Sequence, residues 1–341
     1  MRLGAYFTYD EAAWTAPVAE ELGYELGLVA EGYVTEAAVA LGAAASRTTR
    51  LRLASGVFEI PARTPVLTAM TAATLDAVSG GRFTLGLGVA NAQVSEGWHG
   101  VPFDRPLART REYLDVVRLT LSGRPVSHPG EHFPLAPPGG PWAPFTLRVP
   151  GARPDLPVYL AAVGPRNVEL AGEVADGWIG NFCPPDRVAE NLRRLETGRR
   201  RAGRDGLADF DVLLSVPAVV ADDPREAAEP VRRYVSRFVS LGRGTGNFYY
   251  AHLARLGLGE AAEAVQERFL AGDPAGAAAA VPFDFVDRIA LLGPPERIAE
   301  RLRGYDKAGV TTLAVSPLSA TSEERARTLA GVAAARRLAG L

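Results

Sequence analysis

The feature that most restricts the fold of this chain is an alternation, repeated eight times, of a short apolar run with a segment of helical period. Residues 2–7 lead into 11–22, 26–30 into 35–46, 51–56 into 65–78, and 83–88 into 107–121. After a gap, 157–162 lead into 165–175, 177–181 into 186–200, and 211–220 into a helix from Pro224. The eighth run, 311–316, lies between helical stretches at 295–307 and 322–337. Leu107, Leu114, Val117 and Leu121 share one helical face, as do Val188, Leu192 and Leu195. Asp222 and Asp223 before Pro224 make a helix-start signal. Short parallel connections need helical crossovers, so this series predicts a parallel sheet. Eight such units predict closure into a (β/α)8 barrel, with an open doubly wound sheet as the alternative.

A barrel takes about 250 residues, and the chain has 341. The excess falls into two insertions of a single barrel domain, 1–341. The stretch 123–156 is rich in Pro and Gly and carries Trp142 and Phe145, while 242–285 holds short helical patterns of its own. Lys and Arg number 37 against 39 Asp and Glu, a formal charge of -2. Without a basic excess the chain is not a general nucleic-acid binder. The one cysteine, Cys183, excludes an internal disulfide and an all-cysteine zinc site. The N-terminus reaches Asp10 too soon for a signal peptide, and no apolar run has the about 20 residues that span a bilayer. A cytoplasmic protein with a small-molecule partner is expected.

Barrel sites lie at the C-terminal ends of the strands. That rule selects residues 6–9, Glu31, 56–59, 88–91, 163–167, 181–183 and 316–317. Three local features fall among or beside them. In Ser79-Gly80-Gly81-Arg82-Phe83-Thr84-Leu85-Gly86-Leu87-Gly88, a Gly-Gly turn enters a strand that ends in spaced glycines. Glycine weakens a strand unless something must come close, so Gly86 and Gly88 serve either a flat ligand or a crowded barrel interior. Val163-Gly164-Pro165-Arg166-Asn167 reads as a helix start able to cradle phosphate, or as an ordinary turn. Glu59, in an otherwise apolar strand, and Glu31 could each be a desolvated proton donor. Each could equally be an ion-paired carboxylate, with Arg63 as structural partner. His99, beside Trp98 in a polar loop, and His252, in a helical stretch, read as structural; His128 and His132 read as surface residues. No Gly-x-Ser-x-Gly elbow, His-Glu-x-x-His or Cys-x-x-Cys occurs.

Taken together, these stretches resemble the luciferase-like superfamily of flavin and deazaflavin oxidoreductases. The likeness is strongest to its coenzyme F420-dependent branch, similar to methylenetetrahydromethanopterin reductase. The stretches are Glu21-Leu22-Gly23-Tyr24 with Ala30-Glu31, Arg63-Thr64-Pro65, Ser79 to Gly88, Glu96 to Phe103 and Arg111-Glu112-Tyr113. Gly164-Pro165-Arg166, Ala175-Asp176-Gly177 and Gly293-Pro294-Pro295-Glu296 follow. The resemblance implies a (β/α)8 barrel, often a homodimer, holding a bent deazaflavin at the strand mouths. It implies a cis non-proline peptide behind the ring, here at Gly56–Val57. It places Gly88, Val89, Ala90 and Asn91 along the ring and Glu31 near its polar edge. Val163, Gly164, Pro165 and Arg166, with Asn181, Phe182 and Cys183, would hold the coenzyme's phosphate.

Two positions depart from the sugar-phosphate dehydrogenases of that branch. Gly32 stands where they have a histidine, and Asn91 where they have a glutamate proton donor. A sugar-phosphate substrate is therefore not expected. Glu59, Asn91 and Tyr9 are the catalytic candidates, with Tyr33 a further proton-donor candidate. The implied reaction is hydride transfer from the reduced cofactor to a C=C or C=N bond of a small organic substrate, the protein supplying orientation and a dry slot. The stretch around Trp142 and Asn247-Phe248-Tyr249-Tyr250 would wall the substrate side. The alternatives are an FMN-dependent monooxygenase and a barrel that binds a ligand without turnover.

Overall fold

The computed structural model describes residues 1–33, 35–242 and 246–341. Residues 243–245 of the second insertion lie outside the described residues. The eight apolar runs are parallel strands: β1 (Arg2–Phe7), β2 (Leu26–Val29), β3 (Arg52–Ser55), β4 (Phe83–Gly88), β5 (Val158–Ala161), β6 (Gly177–Asn181), β7 (Asp211–Val219) and β8 (Thr312–Pro317). Each pairs with the next, and β8 pairs with β1 in the register Arg2↔Thr312 to Ala5↔Val315. That last ladder closes the barrel and removes the open-sheet alternative.

Strand alternation sorts the side chains into two layers. Leu26, Leu28, Ala54, Tyr159, Ile179, Leu213 and Ala314 fill the barrel interior. Their strand neighbours, such as Leu53, Leu85, Leu87, Trp178, Leu214 and Leu313, pack outward against the helices. The outer layer consists of α1 (Ala12–Glu21), α2 (Ala37–Ala45), α3 (Pro65–Ser79), α4 (Pro106–Leu121), α5 (Pro165–Val174), α6 (Pro185–Arg201), α7 (Pro224–Val239), α8 (Pro295–Lys307) and α9 (Ser322–Ala339). Local chemistry fixes their starts. The Thr64 hydroxyl accepts from Leu67 N–H at 3.2 Å, the Asp223 carboxylate accepts from Arg225 N–H at 2.8 Å, and Thr321 with Glu324 forms a capping box.

The first half of the glycine-rich motif belongs to the strand-start end of the barrel. Gly80 and Gly81 adopt φ values of 70° and 83°, which favour glycine. The turn they make lets Asp76 accept from Phe83 N–H at 3.1 Å and aims Arg82 at the carbonyls of Ala45, Thr48 and Leu51. This half of the motif is a clamp between α2, α3 and β4.

Three short elements escape sequence periodicity because none is long enough to show it. They are the strand Phe58–Glu59, the 3₁₀ turn Ile60–Ala62, and the helix Ala92–Gly97. The first insertion forms a two-stranded hairpin, His128–Pro129 with Pro134–Leu135, lying along α4. There Glu112 accepts from the N–H groups of His132 and Phe133. His128 and His132 are half-buried in this contact, not surface residues. Trp142 and Phe145 are 77% and 87% exposed, so they wall no site. The second insertion forms the helices Phe248–Arg255, Gly259–Leu270, Pro274–Ala279 and Phe283–Ile289, which build a second core with α7.

Candidate active site

The strand mouth is organised by an interruption after β3. The Gly56–Val57 peptide is cis, as the resemblance implied, and the chain resumes pairing with β4 through Phe58↔Leu87 and Glu59↔Gly88. The Ser55 hydroxyl locks the interruption to β4, donating to Gly86 O at 2.8 Å and accepting from Gly86 N–H at 2.9 Å. The spacing explains the paired glycines. A Cβ at Gly86 would lie 2.0 Å from Ser55 O, and one at Gly88 would lie 2.6 Å from Val57 Cγ2. Of the two readings open at the sequence level, crowding is the one that accounts for them.

Phe58 is fully buried in the outer core, so alternation turns Val57 and Glu59 toward the barrel axis. Val57, like Tyr6 and Ala161, packs against the buried cluster that fills the barrel interior. Glu59 lies above it, its carboxylate 3.3 Å from His99 Nε2. Burial raises the affinity of this carboxyl for its proton, the hydrogen bond and charge of His99 lower it, and the charge of Glu31 raises it; the net shift is upward. Glu31 has a different environment. It accepts from Glu59 N–H at 2.9 Å and pairs with Arg63 at 3.0 Å, their side chains only 6% and 10% exposed. The Arg63 guanidinium in turn stacks 4.5 Å above the Phe58 ring. Glu31 is thus the ion-paired carboxylate of the two, a structural brace of the interruption.

Asn91 caps the helix that follows β4, its side chain accepting from Val94 N–H at 3.0 Å. A side chain used as a cap is a poor proton donor, and an amide does not titrate. The backbone just before it turns sharply, with Ala90 at φ 56°, uncommon for a residue with a side chain. Tyr9 is 55% exposed beyond β1. Tyr33 reaches across to α7, where Arg237 Nε donates to its hydroxyl at 2.9 Å.

On the far side, the turn after β5 opens α5. Gly164 has φ -81°, and a Cβ there would meet no atom within 4 Å. The buried Asn167 Oδ1 beside it has no partner among the described residues. Arg255 of the second insertion donates to Val163 O at 3.2 Å. Open space, a helix N-terminus and this guanidinium form a donor set that fits a phosphate. The Arg166 side chain does not join it. It lines a groove of about 340 Å³ between α4, α5 and α6, outside the barrel, with Arg111, Glu169, Glu173 and Arg201. The side chains of Phe182 and Cys183 are both buried. Phe182 stands at φ 50° amid Tyr234, Phe238 and Tyr249, with His252 Nε2 2.9 Å from its carbonyl oxygen. The Cys183 thiol, pushed up to about 12 by burial, interacts with Asn191. Only the backbone of this pair can face a ligand.

Sequence reasoning passed over His99 and Arg255, since each reaches the site from a loop or insertion whose path no local pattern reveals. Tyr234 was also missed, although its spacing of four from Phe238 marks one face of α7.

A closed parallel barrel with a desolvated carboxyl, a cis-peptide shelf and an open helix N-terminus at one rim is the scaffold of a cofactor-using barrel enzyme. Comparison with known proteins refines that class. A family model described as luciferase-like monooxygenase matches residues 2–312, and the chain belongs to that family. It is 35% identical over 345 residues to the "Putative coenzyme F420-dependent oxidoreductase Rv3520c" of Mycobacterium tuberculosis, covering 97% of this chain and 99% of that one. It is 30% identical over 330 residues to a 5,10-methylenetetrahydromethanopterin reductase of Archaeoglobus fulgidus, covering 93% and 94%. The solved coenzyme F420-dependent tetrahydromethanopterin reductase from Methanopyrus kandleri superposes with a TM-score of 0.80 at 26% identity, covering 97% of both chains.

Proposed function

We propose that this protein is a coenzyme F420-dependent reductase that passes hydride to a C=C or C=N bond of a small organic substrate. Full-length likeness to F420 enzymes supports this cofactor over FMN. When bound, the deazaflavin supplies a hydride and accepts or returns two electrons as a pair. The chain's own residues do the rest. Val57 on the cis-peptide shelf supports the ring, the turn at Gly164 with Arg255 takes the phosphate, and Glu31 with Arg63 keeps the shelf in place. Glu59 holds a proton at its carboxyl and delivers it to the reduced product, His99 tuning its release. The observation that carries this reading is the largely buried Glu59 carboxylate, two residues beyond the cis bond and 3.3 Å from His99 Nε2.

The test has two stages. Purified protein is titrated with F420 and with FMN, and F420 is expected to bind the more tightly. Reduced F420 is then mixed with enones and imines, and its oxidation is followed optically. Glu59→Gln is expected to slow turnover by about a hundredfold or more, the scale of general acid catalysis, with F420 affinity retained. Tight FMN binding without F420 binding would reject the assignment.

A cytoplasmic homodimer belongs to the same proposal. Leu67, Met70 and Val78 on α3, with Val39 on α2, leave an apolar stripe exposed, the kind of patch that subunit contact covers. No helix among the described residues is long and apolar enough to cross a membrane. Light scattering of the eluted protein gives the oligomeric state.

A further inference from the structure

One helix of the second insertion reaches three separate loops of the mouth. Its start is fixed by the buried Asn247, whose side chain accepts from Tyr249 and Tyr250 N–H at 2.8 and 3.0 Å and donates to Phe238 O and Val239 O at 2.9 Å. The helix Phe248–Arg255 is thereby tied to the end of α7. From it, Phe248 packs 5.7 Å from Phe103 of the loop after β4. His252 Nε2 lies 2.9 Å from Phe182 O in the turn after β6, and Arg255 donates to Val163 O at 3.2 Å in the turn after β5. A spacing of three puts His252 and Arg255 on one face of the helix.

Phe182 is held at both ends. Its buried ring meets Tyr249, Phe238 and Tyr234 at centroid distances of 5.4, 5.5 and 5.8 Å. A carbonyl oxygen only accepts, so His252 Nε2 carries the hydrogen of its contact. Burial disfavours a second proton on that ring. A neutral imidazole thus pins the carbonyl of a residue whose φ of 50° is uncommon for any side chain but glycine's lone hydrogen.

The consequence lies on the far side of each held peptide. In a trans peptide the C=O and the following N–H point in opposite directions, and Gly56–Val57 is the one cis bond among the described residues. With Phe182 O turned to His252 and Val163 O turned to Arg255, Cys183 N–H and Gly164 N–H are turned away from the helix. Neither N–H donates to an acceptor among the described residues. A backbone donor without a protein partner is left for water or a ligand. The two turns follow strands that pair directly, β5 with β6.

We propose that His252 is a positioning residue of the cofactor site: by holding Phe182 O it aims Cys183 N–H at the cofactor's phosphate, as Arg255 does for Gly164 N–H. The proposal rests on the reading of the chain as an F420 enzyme and adds that the second insertion, rather than the barrel alone, sets the rim that receives the anion.

The chain's single cysteine makes the test direct. Full-length protein labelled with heavy nitrogen in cysteine alone gives one backbone amide resonance, that of Cys183. It is titrated with F420 and with the ribityl deazaflavin fragment that lacks the phosphate. The resonance is expected to move with F420 and to stay in place with the fragment. His252→Phe keeps a flat ring and loses the donor. It is expected to weaken F420 about tenfold in calorimetric titration, the worth of one hydrogen bond to a charged group, and to leave the fragment's affinity unchanged. His252→Gln keeps an N–H donor and should recover most of that loss. In the wild-type protein, a Cys183 resonance that F420 does not move, or that the fragment moves as far, overturns the proposal without any variant. It is also overturned if His252→Phe weakens both ligands equally, the mark of a residue that only packs. If neither F420 nor the fragment binds, the F420 reading falls instead. FMN and riboflavin, a second pair differing by one phosphate, then decide the role of His252 by the same criteria.

Discussion

The two halves of the barrel mouth solve the same packing problem with opposite chemistry. The rim at β2 to β4 is ionic: Glu31 is braced by Arg63, and Glu59 faces His99. The rim at β6 to β8, with β1, is neutral, made of Tyr6, Asn181, Ser215, Tyr234, Tyr249 and Ser316. Both are largely desolvated, yet only the first concentrates charge, and there one of its two carboxylates has a firm cationic partner. The lesson is a division of labour. Charge that must stay fixed is paired at the outer side of the interruption after β3. The less firmly partnered carboxyl, Glu59, is the one whose affinity for a proton is raised.

The largest effect is expected between the halves, at the turn after β5. Gly164→Asp adds a carboxylate in open space at a backbone conformation that any residue adopts. F420 affinity should be lost while the thermal midpoint stays near that of the wild type. Unchanged affinity in a binding titration would remove the phosphate cradle from this turn.

Next is the brace itself. Arg63→Ala leaves Glu31 buried beside a single backbone donor and strips the cation from the Phe58 ring. Removing one partner of a buried pair costs about 3–5 kcal/mol. Chemical denaturation should show a loss of that order, and a loss below about 1 kcal/mol, the worth of an exposed ion pair, would make the ionic rim a surface feature.

A smaller cost is expected at Gly86→Ala, because the added Cβ lies 2.0 Å from the Ser55 carbonyl oxygen. Overpacking of this kind costs about 1–3 kcal/mol. The same denaturation curves would reveal it. A neutral result would mean that the lock between β3 and β4 yields easily.

The most delicate test concerns pH. Burial first, then the charge of Glu31, holds the Glu59 carboxyl above the ordinary carboxylate range, and His99 pulls it partway back. A proton bound more tightly in the folded than the unfolded chain stabilises the fold below the unfolded pKa, and that contribution fades as pH rises through the folded value. A rate that needs the protonated acid falls across the same window. His99→Gln removes the lowering influence, so the falling limb of the pH–rate profile should move to higher pH. A limb that stays in place would show His99 to be packing alone.

Some of this was legible before any coordinates. The eight strands and their helices follow from local periodicity, because a strand or amphipathic helix needs only its own side-chain pattern to declare itself. The turn at Gly164 follows from its own Gly-Pro helix start, whereas the cis bond at Gly56–Val57 came through the family resemblance. Side-chain directions were not legible, for a shared reason. Arg166, Phe182, Cys183 and Trp142 stand at the right places in the chain, but side-chain direction depends on neighbours far away in sequence. Phe182 turns into a core supplied by residues more than fifty positions later. Glu31 and Glu59 looked alike on the page, and only the position of Arg63 and His99 in space separated their roles.

What the sequence determined by itself was the order of elements, the placement of glycines where backbone comes close, and a chain with no excess of either charge. Those are properties of near neighbours and of totals. What the tertiary structure alone decided was which carboxyl is firmly ion-paired and which is desolvated beside a histidine. Desolvation and pairing are set by whatever surrounds a group in three dimensions, and no short stretch of chain contains its own surroundings.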